Sequence, residues 1–190
     1  MHIIIAGTAR AGKTTLSLML KDKGYVHYKM DSFKRGMCKA YNLKYDDWEP
    51  LSLKMAIIMN QMILDNKTDI VYEKENYLFD IPFLYPKDVE LINTEDTIVI
   101  FLGYAYLTAE ENFANIRKYD SDNSFTSKAS DEQLMIWCKQ NVEHSRYLKA
   151  ECERLNIKYF DTSVNRDEVL KDAIKYIEEE ERKFNGRNSK

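Results

Sequence analysis

The first apolar stretch of the chain, Ile3-Ile4-Ile5-Ala6, is short, β-branched and uninterrupted. A run without polar alternation predicts a strand covered on both faces. The period then changes. From about Lys13 to Lys23, Leu16, Leu18, Met19 and Leu20 supply the apolar positions of a helix, and Gly24 is placed to end it. Tyr25 to Met30 predicts a second strand, closed by Asp31. Between Ser32 and Trp48 the pattern weakens into a polar stretch that carries Lys34, Arg35, Tyr41 and Tyr45. Pro50 opens a helix running to about Asp65, in which Leu51, Leu53, Met55, Ile58, Met62 and Ile63 leave few polar positions. Asp69 to Glu73 predicts a third strand, and Pro82 and Pro86 mark an irregular segment after it.

Thr97 to Leu102 is the clearest strand pattern of all and ends at Gly103. A helix is predicted over Thr108 to Lys118, opened by the capping box Thr108-x-x-Glu111. Asp120 to Ser130 is polar, with no apolar period. Ser130-x-x-Gln133 forms a second capping box for a helix to roughly Leu155. Ile157 to Phe160 predicts the fifth strand, and Val164 or Arg166 to Lys183 the last helix, with Asn185 to Lys190 fraying. Strands alternating with helices imply an α/β domain with a largely parallel sheet. There is no internal repeat and no interdomain linker, so residues 1–184 form one domain.

Composition narrows the class. At 190 residues the chain can bury a core without disulfide staples, and 12% aromatic content, with 13 Tyr, argues against disorder. The 28 basic and 31 acidic residues leave a net charge of -3, which gives no support for a nucleic-acid or anionic-membrane partner. Cys38, Cys138 and Cys152 form no C-x-x-C pair and read as reduced, mostly buried thiols rather than metal ligands. The longest apolar stretch, Ile98 to Leu107, is too short to span a membrane, and no basic leader precedes Ile3. A cytoplasmic protein, monomer or homodimer, is expected.

One motif carries specific chemistry. Gly7-Thr8-Ala9-Arg10-Ala11-Gly12-Lys13-Thr14 fits G-x-x-x-x-G-K-[ST] at every fixed position, between a buried strand and a helix. The loop must curl around a phosphate with its N–H groups pointing inward, which small and glycyl residues allow. The helix it opens adds its N-terminal amides to the same anion. Lys13 then reaches the β- and γ-phosphates, Thr14 offers a hydroxyl to Mg²⁺, and Thr15 extends the nucleotide-binding set.

With this loop on the first strand, an acid ending strand two, a helical insert, an acid ending strand three and a polar lid, the chain resembles the small P-loop kinases. These include nucleoside-monophosphate, shikimate and gluconate kinases and antibiotic phosphotransferases. The resemblance covers most of the chain. It implies a three-layer fold with a five-stranded parallel sheet ordered 2-3-1-4-5, an acceptor-binding insert over residues 32–66 and a lid over 117–133. It also implies phosphoryl transfer from ATP, with Mg²⁺, to a small-molecule acceptor. The adenylate-kinase pattern is incomplete, because the characteristic lid arginine pairs are absent. N-K-x-D and a D-x-x-G at strand three are absent too, so nothing points to a GTPase.

The remaining candidates follow from what phosphoryl transfer asks of a protein, namely positioning and charge neutralisation. Asp31 ends strand two, where it would face the acceptor hydroxyl as a base, or else cap a helix. Glu73 would end strand three and act on Mg²⁺ through water or on the acceptor, with Glu75 as the alternative. Arg35 suits an acceptor phosphate or carboxylate. Arg117 and Arg146 flank the polar lid and would swing onto the transferring group, or else lie on solvated helix faces. Arg10 points at the phosphates, at the acceptor or at solvent. Arg154, Arg166, Arg182 and Arg187 read as surface residues. Thr162 and Ser163, after strand five, lie where the resemblance brings the adenine ring. Tyr41, Tyr45 and Trp48 are available to line an acceptor pocket, and His144 reads as a surface residue. The acceptor is thus a nucleoside, a nucleoside monophosphate or a small hydroxylated metabolite. The alternative function is a nucleotide-binding regulatory protein or ATPase without a small acceptor.

Overall fold

The computed structural model describes residues 1–68, 75–120 and 124–188. Among these, five strands form one parallel sheet, β1 (His2–Gly7), β2 (Tyr25–Lys29), β3 (Asn76–Asp80), β4 (Thr97–Gly103) and β5 (Lys158–Asp161). Their order is β2-β3-β1-β4-β5, as expected. The helices are α1 (Lys13–Met19), α2 (Asp31–Ala40), α3 (Trp48–Thr68), α4 (Ala109–Tyr119), α5 (Phe125–Lys128), α6 (Asp131–Arg154) and α7 (Arg166–Asn188).

β1 is central and wholly buried. Its alternating side chains divide the core in two. Ile4 and Ala6 join Phe79 and Phe101 beneath Leu51, Met55, Met59 and Ile63 of α3 and Leu148 and Cys152 of α6. Ile3 and Ile5 join Leu78, Ile100 and Leu102 beneath Leu16 of α1 and Leu170, Ala173 and Ile177 of α7. A sheet covered on both faces needs apolar side chains on both, which explains the unbroken isoleucine run. A small third cluster, Ile116, Leu134 and Cys138, joins α4 to α6.

Both capping boxes are present. Thr108 Oγ1 accepts from the Glu111 N–H at 3.1 Å and Glu111 Oε2 accepts from the Thr108 N–H at 2.8 Å. Ser130 and Gln133 repeat the exchange at 3.2 Å in each direction.

Four expectations need correction. The third strand of the described residues is Asn76–Asp80, and the expected strand Asp69–Glu73 lies outside them. The later run is the one whose Leu78 and Phe79 are fully buried on opposite faces, in register with Ile3 and Ile4. The Asn66 side chain clamps Glu75, donating to its carbonyl at 2.9 Å and accepting from its N–H at 3.0 Å, and so sets where β3 begins. Residues 69–74, including Glu73, lie outside the described residues. The stretch after Asp31 opens with α2, whose inward face is completed by Met37 and the buried Lys34, so a charged residue conceals the helical period. The first helix ends at Met19, and a 3₁₀ turn over Lys21–Lys23 completes the segment before Gly24, which turns the chain at φ +80°. The last helix continues past Lys183 to Asn188.

Candidate active site at the phosphate loop

The loop leaves the end of β1 through Gly7 at φ +124°. A side chain there is excluded, since a Cβ would lie 1.9 Å from the Leu102 carbonyl oxygen. The Thr8 N–H donates to that same carbonyl at 2.9 Å, so β4 fixes the start of the loop. Gly12 turns at φ +101° into α1, and Arg10, at φ +67°, takes a left-handed conformation unusual for a residue with a side chain.

Lys13 folds back into the loop and donates to the Thr8 carbonyl at 2.7 Å. Burial pulls its pKa down to about 8, and the negative charges of Asp80 and then Asp31 oppose that fall. The charges of both acids are felt at the ammonium, which puts Asp31 within electrostatic reach of the loop. Asp31 is the first residue of α2, following the N-cap Met30, and is the acid of that helix's first turn. Thr14 donates to Asp80 Oδ2 at 2.6 Å. Asp80 ends β3 and is the strand-end acid that meets the phosphate loop, whereas Glu73 lies outside the described residues. The signal was in the sequence, in the acid closing Tyr77-Leu78-Phe79.

Beside the loop lies a cleft of about 970 Å³. Arg10, Gly12, Lys13, Thr14 and Thr15 contribute from the loop and α1, Asn112, Asn115 and Ile116 from α4, and Thr162, Ser163 and Arg166 from the segment after β5. Thr162 and Ser163 reach the cleft as expected. Their side chains also hold the sheet edge, Thr162 Oγ1 donating to the Gly103 carbonyl at 3.0 Å and Ser163 Oγ accepting from the Tyr106 N–H at 3.1 Å. Arg166 is exposed, as expected, and it also lines the cleft. Its guanidinium donates to Thr15 Oγ1 at 3.0 Å, and it opens α7 immediately beyond a strand end, where ligands of open α/β sheets bind. Asn112 was also missed. It is 3% exposed, and its amide nitrogen, beside the Tyr104 hydroxyl, has no acceptor among the described residues.

The arginines divide differently from expectation. Arg10 pairs with Asp120 at 2.5 Å and donates to Thr126 Oγ1 at 2.7 Å. Arg117 braces the junction of α4 with α5 and α6, donating to the Thr126 and Ala129 carbonyls at 3.2 and 2.8 Å and to Asp131 at 2.7 Å. Arg146 donates to the Ala105 and Leu107 carbonyls at 3.1 and 3.2 Å, gathering the turn after β4. Arg117 and Arg146 are thus committed to backbone, and neither lines the cleft. A planar guanidinium serves several carbonyls as readily as a phosphate, so residue type alone does not separate the two uses.

On the acceptor side, Lys34 is almost completely buried, with its ammonium 3.8 Å from the ring centroids of both Tyr45 and Trp48 and 5.3 Å from that of Phe83. Trp48 in turn faces His144 at 5.8 Å, and His144 contacts Tyr85 and Tyr147. His144 is half-buried rather than a surface residue. Burial, followed by the charge on Lys13, pushes its pKa down to about 4, so it is neutral near pH 7. Arg35 is exposed and donates to Ser32 Oγ at 3.4 Å.

No protein-family model and no curated protein sequence matches the chain. Solved structures do. A shikimate kinase from Bacteroides thetaiotaomicron superposes with a TM-score of 0.58 at 14% identity, over 94% of this chain and 98% of that one. A sugar kinase from Janibacter sp. HTCC2649 gives 0.54 at 13% identity over 93% and 94%. The Bacillus subtilis YorR protein, in complex with phosphorylated GDP, gives 0.52 at 18% over 96% and 98%. Likeness at these identities is likeness of backbone. In fold, the chain is similar to the small P-loop kinases.

Proposed function

We propose that the protein is a phosphotransferase that moves the γ-phosphoryl group of ATP to a small-molecule acceptor. The observation that carries this reading is the buried Lys13 flanked by Asp31 and Asp80, with Thr14 bonded to Asp80, at the head of an open cleft. The phosphate loop and the start of α1 take the triphosphate, and Thr162, Ser163 and Arg166 line the nucleotide's part of the cleft. Thr14 and Asp80 are hard oxygen donors whose spacing suits Mg²⁺, which keeps most of its waters and asks few ligands of the protein. When bound, Mg²⁺ would neutralise charge on the β- and γ-phosphates.

In the transfer itself an acceptor oxygen forms a bond to the γ-phosphorus while the bond from that phosphorus to the β,γ-bridging oxygen breaks. ADP leaves, and the proton of an acceptor hydroxyl passes to Asp31. Lys13 neutralises charge on the leaving side. Enzymes of this fold named for shikimate and for sugar support the general class of acceptor.

The direct test mixes the protein with MgATP and a panel of nucleosides, nucleoside monophosphates and small hydroxylated metabolites, and follows ADP. ADP release that depends on one acceptor and disappears in Lys13→Ala is the expected result. Acceptor-independent hydrolysis across the panel would favour an ATPase or regulatory role instead.

A further inference from the structure

The helix α3 is apolar on two opposite sides. Its inward face, with Leu51, Met55, Ala56, Met59 and Ile63, is fully buried in the core. The outward side carries Leu53, Ile57 and Leu64, which are 45%, 55% and 36% exposed, and an exposed Gln61 between the last two. These positions follow the i, i+4, i+8, i+11 spacing of a single helical stripe. Tyr41, also exposed, lies beside it, with the Lys54 ammonium 4.3 Å from its ring centroid. A surface helix is ordinarily polar on the side away from the core, and a monomer rarely leaves a continuous apolar stripe of this length in water.

The charges of α3 identify what fits the stripe. They stand in the order Glu49, Lys54, Asp65, Lys67, and the segment from Met55 to Leu64 carries none. At about 100° per residue, Lys54 and Asp65 flank the stripe on one side, and Glu49 and Lys67 on the other. Reversing the helix exchanges acid for base at each of these positions. Set antiparallel against a second copy, about a two-fold axis near Met59 that brings Leu53 to Leu64, Lys54 comes within about 3 Å of Asp65 along the axis, and Glu49 within about 2 Å of Lys67. The two-fold keeps each flank on its own side, so base meets acid throughout. A parallel arrangement would instead set Lys54 against Lys54 and Asp65 against Asp65. The face is thus self-complementary, as an isologous interface requires. Lys54 has no ion pair within its own chain among the described residues, and Glu49 and Lys67, paired with Lys87 and Asp96, remain partly in water.

We infer that two copies of the chain associate through α3, antiparallel about a two-fold, with the stripes of Leu53, Ile57 and Leu64 in contact and Lys54 of each copy paired with Asp65 of the other. A helix of 21 residues is about 30 Å long. With Tyr41 at its flank, such a contact covers roughly 500 Å² per copy, near the lower bound for a specific interface. The dimer is accordingly reversible, with dissociation in the micromolar range. It leaves the phosphate-loop cleft open in both copies, because no residue of α3 lines it.

Sedimentation equilibrium over about 1 to 200 µM measures the association. The wild type should show an average mass rising from one chain toward two, and Ile57→Glu should remain monomeric throughout. Lys54→Glu and Asp65→Lys should each weaken dimerisation by about tenfold or more, because each makes two attractive contacts repulsive. Mixed in equal amounts, these two variants should dimerise again, since each supplies the charge that the other has lost. Thermal melts check that the variants fold. A wild type still monomeric at the highest concentration, a dimer indifferent to Ile57→Glu, or a mixture no tighter than its components would each overturn the inference, the first leaving the stripe to a different partner. The comparison of wild type with Ile57→Glu stands alone if a charge variant folds poorly. Neither nucleotide nor acceptor enters the measurement, so its failure is separate from failure of the phosphotransferase reading.

Discussion

The buried Lys13 couples protonation to both folding and ligand grip. In the folded protein it gives up its proton near pH 8, against an ordinary value of 10.5. Between those values the unfolded chain binds more protons than the folded one, so the penalty of burying the ammonium is relieved and stability rises with pH across that window. Below it the penalty is constant. The phosphate, however, needs the charge. Affinity for a non-hydrolysable MgATP analogue should therefore fall by about tenfold per pH unit above 8, and Lys13→Met should be weak and flat over the same range. Fluorescence titration at successive pH values measures both. Gly7, Gly12, Lys13 and Thr14 were readable from sequence because their spacing is the chemistry. Asp80 and Asn112 were not, because their places depend on which run forms the third strand and on what covers them.

Helix ends follow local rules, and these proved legible. Thr108 and Ser130 each exchange two hydrogen bonds with the residue three positions on, as their spacing requires. Ser130→Ala should lower unfolding free energy by about 1 kcal/mol in urea denaturation. Because α6 carries Arg146 and His144, the same variant tests whether fraying its start reaches the turn after β4 and the ring contact with Trp48. Strand three was not legible by the same means. Two apolar runs of similar length compete for one gap beside β1, and periodicity cannot choose between them. The choice depends on long-range fit, on Leu78 and Phe79 meeting the two cores and on Asn66 holding Glu75. The five-strand order is implied by the resemblance to the small P-loop kinases, since periodicity alone does not order strands.

At the scale of the molecule, arginines knit together the junction of α4 with α5 and α6 and the turn after β4. Arg117 joins the end of α4 to α5 and the start of α6, where the small third cluster buries little apolar surface of its own. Arg117→Ala should lower the melting temperature through lost carbonyl contacts, worth about 1–2 kcal/mol together, while turnover stays within about tenfold of wild type. A loss of about 10³-fold in turnover with an unchanged melt would return Arg117 to the phosphoryl group. Among the described residues no helix is long and apolar enough to cross a membrane.

The Arg10–Asp120 pair has a bearing on how the molecule works as a machine. Arg10 belongs to the phosphate loop, and Asp120 ends α4 and also accepts from Ser124 and Thr126. One guanidinium thus stands between two claims. A nucleotide that recruited Arg10 would take a cation from Asp120, and a change that drew Asp120 away would release that cation to the nucleotide. Linkage makes such an exchange symmetric: whatever free energy nucleotide binding spends in breaking the pair, a broken pair must return as tighter binding.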